Sequence, residues 1–263
     1  MIIDAHAHIF PEKIAAKATA GIGDFYDIKM DSDGTLDMLL RLSDEAGVDI
    51  CIVHSVATVP HQVESINNFI AESVAAHPDR FIGFAAMHPD YENIDAEIKR
   101  CKELGMKGIK LHPDFQKFQI DEPKAFPIYE AAVKYSLPVL FHTGDTRYDF
   151  SGPERLRRAA DMFPEMKIIG AHFAGWSQWD QAYELFTDRR IYTDLSSSLY
   201  MLTPERAADI IRNFGADRVL FGTDFPMWTA KEELERFNAI PLTEEERELI
   251  LYKNAQRLLG NES

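Results

Sequence analysis

Eight short apolar runs, separated by segments with helical periodicity, constrain the fold of this 263-residue chain most strongly. The runs are rich in β-branched residues, and the segments between them are amphipathic, which is typical of strands alternating with helices. We predict strands at 2–8, 49–56, 81–87, 106–112, 138–143, 167–172, 191–196 and 219–224. We predict helices near 35–46, 62–76, 92–104, 123–136, 153–163, 178–187, 204–214 and 243–259.

Eight strands alternating with eight helices in about 260 residues is the count and size of a (β/α)8 TIM barrel. The alternative is a doubly wound open sheet, which predicts a glycine-rich phosphate loop after an early strand. The sequence has no such loop, and it has no repeat, linker or low-complexity stretch. We therefore expect residues 1–263 to form one α/β barrel domain.

The composition narrows the class of protein. A net charge of −15 argues against nucleic acid or an anionic membrane as a partner. No apolar run approaches the ~18 residues that span a bilayer, and no signal-peptide pattern opens the chain. Cys51 and Cys101 lie far apart without metal-type spacing, as expected of free thiols in a reducing compartment. We expect a cytoplasmic protein with a small-molecule substrate.

Histidine and aspartate stand at the carboxyl ends of four predicted strands. His6 and His8 end the first strand, and side chains two apart on a strand point to the same side. His142, His172 and Asp224 end the fifth, sixth and eighth strands. Because the carboxyl ends of barrel strands meet at one face, we expect these side chains to share one site. Imidazole and carboxylate bind divalent metals, so the pattern predicts a metal centre.

These motifs resemble the amidohydrolase superfamily, in particular the branch that includes aminocarboxymuconate-semialdehyde decarboxylase and related metal-dependent hydrolases. The resemblance rests on the paired histidines of the first strand and on three further motifs, Leu-Phe-His-Thr-Gly, Gly-Ala-His-Phe-Ala-Gly and Phe-Gly-Thr-Asp-Phe-Pro. It implies His6, His8, His142 and Asp224 as ligands of one divalent ion. It also implies that His172 stays free as the catalytic acid–base, while Asp224 assists catalysis as well as binding metal.

This donor set suits zinc, with manganese and iron as the alternatives. Some members of the superfamily add a small β-sandwich outside the barrel. Because His6 stands so near the start of the sequence, we expect a bare barrel.

Further polar side chains stand at strand ends. Lys110 and His112 share the inward face at the end of the fourth predicted strand, so we expect both to contact substrate. In two-metal relatives a carboxylated lysine on this strand bridges the ions. If Lys110 were carboxylated, the histidines of the fifth and sixth strands would bind a second metal. His54 and His88 end the second and third strands, where they either line the mouth or make structural hydrogen bonds.

Aromatic residues concentrate in loops on the same face. Trp176 and two further tryptophans follow the sixth and eighth strands, which indicates an apolar substrate pocket or, alternatively, a homodimer interface. Arg147 is the best-placed cation for a substrate carboxylate, unless it pairs with Asp145 or Asp149. The connection over 9–34 is long, and connections of this length are often lids.

Two reactions fit the predicted site. The first, which we favour narrowly, is hydrolysis of a small amide, ester or lactone through a metal-activated water. The alternative is non-oxidative decarboxylation of a small aromatic or unsaturated carboxylate, with the metal and His172 controlling protonation at carbon. A non-catalytic metal-binding barrel is disfavoured, because it has no need of an acid–base histidine beside a full ligand set. The sequence leaves the substrate unidentified.

Overall fold

The computed structural model describes residues 1–188 and 190–260. Its eight strands form one parallel sheet in which each strand neighbours the next in sequence. Hydrogen bonds from Ala5 N to Phe221 O and from Asp224 N to His6 O, both 2.8 Å, join the end of the sheet back to β1. The predicted (β/α)8 barrel is therefore confirmed. The strands are β1 Ile3–His8, β2 Ile50–His54, β3 Phe81–Ala86, β4 Gly108–Leu111, β5 Val139–Phe141, β6 Ile168–Gly170, β7 Tyr192–Asp194 and β8 Val219–Leu220.

Helices surround the barrel. Several begin where the sequence supplies a cap; for example, the Thr203 side chain accepts from Arg206 N, and Pro204 occupies the first turn. In the described ranges no helix is both long and apolar enough to cross a membrane. The helices are α1 Glu12–Tyr26, α2 Leu36–Ala46, α3 Val63–Ala76, α4 Ile94–Glu103, α5 Pro113–Gln116, α6 Phe126–Tyr135, α7 Pro153–Met162, α8 Trp179–Leu185, α9 Pro204–Phe214, α10 Ala230–Asn238, α11 Glu244–Glu248 and α12 Asn254–Leu259.

The helical prediction missed three helices and simplified another. The connection over 9–34 contains α1, the short helix α5 follows β4, and α10 follows β8. The last predicted helix, near 243–259, consists of α11, a π-helical segment Leu249–Lys253, and α12. The helical path is continuous there, but its middle turn is wider than α-helical.

The barrel interior is apolar below the site. One buried cluster combines inward residues of six strands with two residues of α12, so the carboxyl-terminal helix packs against this cluster. The pairing of β1 with β2 shifts register between Asp4 and Ala7. Such irregularities re-aim side chains near active sites, and here His6 and His8 stand above the apolar layer. That layer comprises Ile3, Ala5, Ile52, Phe84, Leu140, Ile169, Ala171, Leu220, Ala255 and Leu258.

All eight strands are shorter than predicted, and for two of them the difference moves a site residue into a turn. The strands β6 and β8 end at Gly170 and Leu220, before the histidine and aspartate that the sequence placed on them. His172 and Asp224 have φ values of 61° and 62°, in the left-handed region, so the extended ladder cannot continue through them. Non-glycine residues in this region are strained and concentrate at functional sites. Both side chains are therefore positioned by tight turns.

Candidate active site and metal centre

Three of the predicted ligands contact one another at the carboxyl end of the barrel. His6 and His8 end β1, and Asp224 follows β8. The Nε2 atoms of His6 and His8 lie 3.3 and 3.4 Å from Asp224 Oδ1. Metal–ligand bonds of about 2.0–2.2 Å place neighbouring ligand atoms roughly 3.0–3.6 Å apart. These atoms are thus spaced like ligands of one cation.

The protonation states of His8 and Asp224 suit metal binding. Burial lowers the pKa of His8 to about 4, so its ring is neutral at neutral pH. Burial opposes ionisation of Asp224, but the field of His6 and a hydrogen bond from His8 hold the pKa of this carboxyl well below its usual range. A neutral imidazole and an ionised carboxylate are the forms that coordinate cations.

A buried carboxylate at the end of β7 fixes the orientation of His6. His6 Nδ1 lies 2.9 Å from Asp194 Oδ2, and neither side chain is more than 1% exposed. Burial opposes ionisation of Asp194, but the field and hydrogen bond of His6 lower its pKa to about 2. The carboxylate therefore accepts the Nδ1 proton and leaves the Nε2 lone pair directed at Asp224. Carboxylates behind ligating histidines act in this way at metal sites.

Lys110 is buried directly beside His6. It is 1% exposed, and its Nζ atom lies 2.9 Å from His6 Nε2. Burial lowers the pKa of Lys110 to about 8, while the charges of Asp224 and Asp194 oppose that shift. Lys110 donates to the same lone pair of His6 that a cation would use.

His142 and His172 meet at the ends of β5 and β6. His142 Nδ1 lies 3.1 Å from His172 Nε2. The other nitrogen of His172, Nδ1, lies 2.9 Å from Ser196 O, and the His172 backbone N–H donates to Asp194 Oδ1 at 3.1 Å. The turn after β7 thus orients both His6 and His172. His142 joins the site through His172, and its predicted place among the ligands stays a prediction.

His112 extends the site away from β1. Its ring stacks on that of His142, with centroids 4.0 Å apart, and on Phe115 at 3.8 Å. The Tyr26 hydroxyl, at the end of α1, lies 3.2 Å from His112 Nε2 and 3.4 Å from His142 Nε2. Asp114 Oδ2 lies 3.6 Å from the same Nε2 atom of His142. Tyr26 and Asp114 therefore meet the same imidazole edge.

Arg147 pairs with Asp145 and holds the end of α1. Its Nε and Nη2 atoms donate to the two oxygens of the buried Asp145 at 2.9 and 2.7 Å, and its Nη1 donates to Phe25 O at 2.6 Å. The guanidinium also lies 5.4 Å from the Tyr26 ring centroid and 6.0 Å from that of Trp176. Of the two alternatives for Arg147, the geometry therefore shows the ion pair with Asp145. Binding a substrate carboxylate would require Arg147 to leave these partners.

The centre opens into a small cavity of about 20 Å³. One side of its wall is polar and carries imidazole and carboxylate groups; the other side is apolar. Trp176, predicted to contact substrate, touches the outer face of Tyr26 with ring centroids 5.3 Å apart. The cavity is lined by His6, His8, Ile22, Tyr26, His112, Phe115, His142, Asp224, Pro226 and Met227.

Within the described part of the chain, three groups of buried side chains bring potential metal-binding atoms within 4.8 Å of one another. Two of them contain His6. The groups are His6, His8 and His54; His6, His172 and Asp194; and His112, Asp114 and His142.

Sequence reasoning missed Asp194, Ser196 and Asp114. Asp194 ends β7 in the way that other site residues end their strands, so the strand-end signal was available for it. Ser196 and Asp114 act through backbone and imidazole contacts that no spacing pattern reports. Tyr26 lies on a helix that the sequence analysis did not predict.

Residues 3–260 match the family described as Amidohydrolase. The chain belongs to this family. It is 28% identical over 285 residues to gamma-resorcylate decarboxylase of Polaromonas sp. strain JS666, covering 84% of this chain and 86% of that protein. A 79-residue stretch is 34% identical to 2-amino-3-carboxymuconate-6-semialdehyde decarboxylase of Dictyostelium discoideum, covering 29% of this chain and 22% of that protein.

Solved structures agree with the barrel. The dihydroxybenzoic acid decarboxylase of Polaromonas sp. JS666, with bound manganese and the inhibitor 2-nitroresorcinol, matches with a TM-score of 0.76 and 22% identity. The match covers 100% of this chain and 98% of that one. The resemblance to the amidohydrolase superfamily is thus confirmed, and the protein is an enzyme of that superfamily. Its relatives are decarboxylases, which favours the decarboxylase alternative over the hydrolase expectation.

Proposed function

We propose that this protein is a metal-dependent decarboxylase of small aromatic carboxylates, with hydroxybenzoates as the first class to test. The observation that carries the proposal is the 28% identity to gamma-resorcylate decarboxylase across 84% of the chain. The site supports it through three features: a donor set for a cation, a buried lysine, and an oriented histidine. Each of these features has a separate role in the reaction.

The metal would be held by His6, His8, His142 and Asp224. A divalent cation there supplies Lewis acidity and a fixed positive charge for substrate oxygens. The donor set fits at His6, because Asp194 accepts its Nδ1 proton and the unprotonated Nε2 faces Asp224.

Lys110 offers the positive charge that a carboxylate substrate needs. The chain as a whole carries a net charge of −15, so its field repels an anion unless a local cation offsets it. Lys110 is buried within the site, whereas the guanidinium of Arg147 is already paired with Asp145. We therefore propose that Lys110 binds the substrate carboxylate and that Arg147 holds α1 in place.

We assign the proton transfer to His172. Decarboxylation breaks the bond between the ring carbon and the carboxylate carbon, and the electron pair remains on the ring carbon, which takes a proton as CO2 leaves. The Nδ1 atom of His172 is engaged by Ser196, so Nε2 carries the exchangeable proton. Burial lowers the pKa of His172, which makes its protonated form a better donor.

Entry of an aromatic substrate requires the end of α1 to move. The cavity of about 20 Å³ is too small for a substituted ring, and the Tyr26 side chain forms part of its wall. Tyr26 ends a helix that Arg147 holds through Phe25 O. We propose that α1 is the lid expected in this connection, with Arg147 as its latch. The apolar side of the cavity would then face the substrate ring.

The deciding experiment compares acids with their own methyl esters. The Mn²⁺-loaded protein is incubated with 2,6-dihydroxybenzoate and isomeric hydroxybenzoates, and separately with the corresponding methyl esters and small lactones. We expect CO2 release that matches the loss of one or more acids, and no turnover of the esters. His172→Asn, loaded with metal, serves as the control and should release little CO2. Ester or lactone hydrolysis without CO2 release from any acid would contradict the proposal and restore the hydrolase expectation.

A further inference from the structure

His54 is a buried histidine that none of the roles above uses. It is the last residue of β2, and its Cα pairs with that of His8 in the parallel ladder. Paired positions on neighbouring strands direct their side chains to the same side of a sheet. Accordingly, the His54 ring centroid lies 4.4 Å from that of His8 and 5.0 Å from that of His6.

His54 makes none of the hydrogen bonds expected of a structural histidine. It is 0% exposed, and neither Nδ1 nor Nε2 has a hydrogen-bond partner within residues 1–188 and 190–260. Buried polar groups are nearly always paired, and an unpaired one costs about 1–3 kcal/mol. The sequence analysis allowed His54 either to line the mouth or to make a structural hydrogen bond. Within the described residues, His54 makes no such hydrogen bond.

The surroundings of His54 suit a cation. One nitrogen from each of His6, His8 and His54 lies within 4.8 Å of the other two. His6 and His8 form part of the cavity wall, whereas the fully buried His54 is not among the lining residues. A substrate in the cavity would meet His6 and His8 first. A single ion can still reach all three imidazoles.

We propose that His54 is a further ligand of the metal centre, contributing an imidazole beside His6 and His8. It adds to the set formed with His142 and Asp224, giving five protein donors and leaving a position open for substrate. Zinc-type sites expand to five-coordination, and manganese accepts six donors in octahedral sites. The inference rests on the metal centre of the proposed function but not on the reaction catalysed there.

The test measures metal binding rather than activity. Metal-free wild type, His54→Ala, His54→Gln and His88→Ala are titrated with Mn²⁺ against a competing chelator. His88 is the matched control: it follows β3, is 4% exposed, and its Nδ1 accepts from Asp90 N at 3.1 Å. Even residues behind metal ligands change affinity about 10–100-fold when replaced. We therefore expect at least that loss in both His54 variants and less than about a twofold change in His88→Ala.

Two spectroscopic readouts make the result decisive. The visible ligand-field bands of the Co²⁺-loaded protein should shift in His54→Ala and stay unchanged in His88→Ala. Pulsed EPR of Mn²⁺-loaded wild type should count four coordinated imidazoles rather than three, a measurement that does not depend on any variant folding. Wild-type affinity and spectra in the His54 variants, a count of three, or no Mn²⁺ binding by wild type would overturn the proposal. A protein that binds metal through His54 but releases no CO2 would overturn only the proposed function.

Discussion

Replacing Asp194 by asparagine should move a proton on His6 to the wrong nitrogen. Three donors, namely His172 N, Ser196 N and Ser196 Oγ, converge on Asp194 Oδ1. Asp194 Oδ2 lies 2.9 Å from His6 Nδ1, which also lies 3.2 Å from Ser196 Oγ. Asparagine keeps an oxygen for the three donors only if its NH2 group takes the Oδ2 position. That group donates, so His6 must accept at Nδ1 and carry its proton on Nε2. The lone pair directed at Asp224 is then lost.

The expected losses follow from these contacts. A change of this kind behind a metal-ligating histidine weakens metal binding about 10–100-fold, which corresponds to roughly 1.4–2.7 kcal/mol. The metal-free protein also loses stability, because the buried Lys110 no longer has His6 Nε2 as acceptor. An unpaired buried donor costs about 1–3 kcal/mol, or roughly 3–10 °C in Tm for a domain of this size.

Chelator competition with Mn²⁺ and calorimetry of the metal-free protein measure the two effects separately. Asp145→Asn is the matched control, because Asp145 is equally buried but pairs with Arg147 rather than with an imidazole. It should lower Tm and leave the metal affinity within about twofold. If Asp194→Asn binds Mn²⁺ as tightly as wild type, the assignment of the His6 proton to Nδ1 is wrong.

Other outcomes follow from the same structure. His6→Ala should lose metal and activity together, whereas His172→Asn should retain metal while turnover falls about 10²–10⁴-fold; a metal-free His172 variant would make that residue a ligand. Elemental analysis should give close to one divalent ion per chain, and two ions with a carboxylated Lys110 would contradict the single-metal centre. Cys51 and Cys101 are 1% and 0% exposed, and burial raises the pKa of both thiols. Neither should react with a thiol reagent until the protein is unfolded; rapid labelling of the native protein would contradict this.

The sequence predicted the barrel and the clustering of its strand-end residues because both depend on short-range patterns. Apolar runs alternate with amphipathic segments along the whole chain, and parallel strands in a barrel necessarily bring their carboxyl ends together. His6 and His8 are therefore found in contact with Asp224, which is far from both in sequence. No knowledge of loop conformation was needed for this step.

The sequence did not predict helix α1, which ends at Tyr26. The segment contains Gly21 and Gly23, which weaken a helical pattern by roughly 1 kcal/mol each. The reason for one of these glycines is visible only in three dimensions. A Cβ at Gly23 would lie 2.7 Å from Ile28 O, so the chain after the helix can fold back only over a glycine.

The position of a carboxylate at a strand end also does not predict its role in the site. Asp194 and Asp224 each follow or end a barrel strand, yet one accepts a proton from His6 Nδ1 while the other faces His6 Nε2. Which edge of an imidazole a carboxylate meets depends on the turn after its strand. The φ value of 62° at Asp224 is part of that geometry, and no periodicity in the sequence encodes it.

The charge balance of the site connects its metal to its substrate. Asp194 and Asp224 are ionised, the first fully buried and the second with its side chain 13% exposed. Lys110 compensates part of their charge by donating to His6 Nε2. A divalent cation on His6 would take that lone pair, so Lys110 would lose its acceptor while two positive groups share a buried site. Like charges in a low-dielectric interior repel strongly, and an anionic ligand between them relieves the repulsion. A substrate carboxylate meets this requirement, so the charge balance of the site agrees with the decarboxylase proposal.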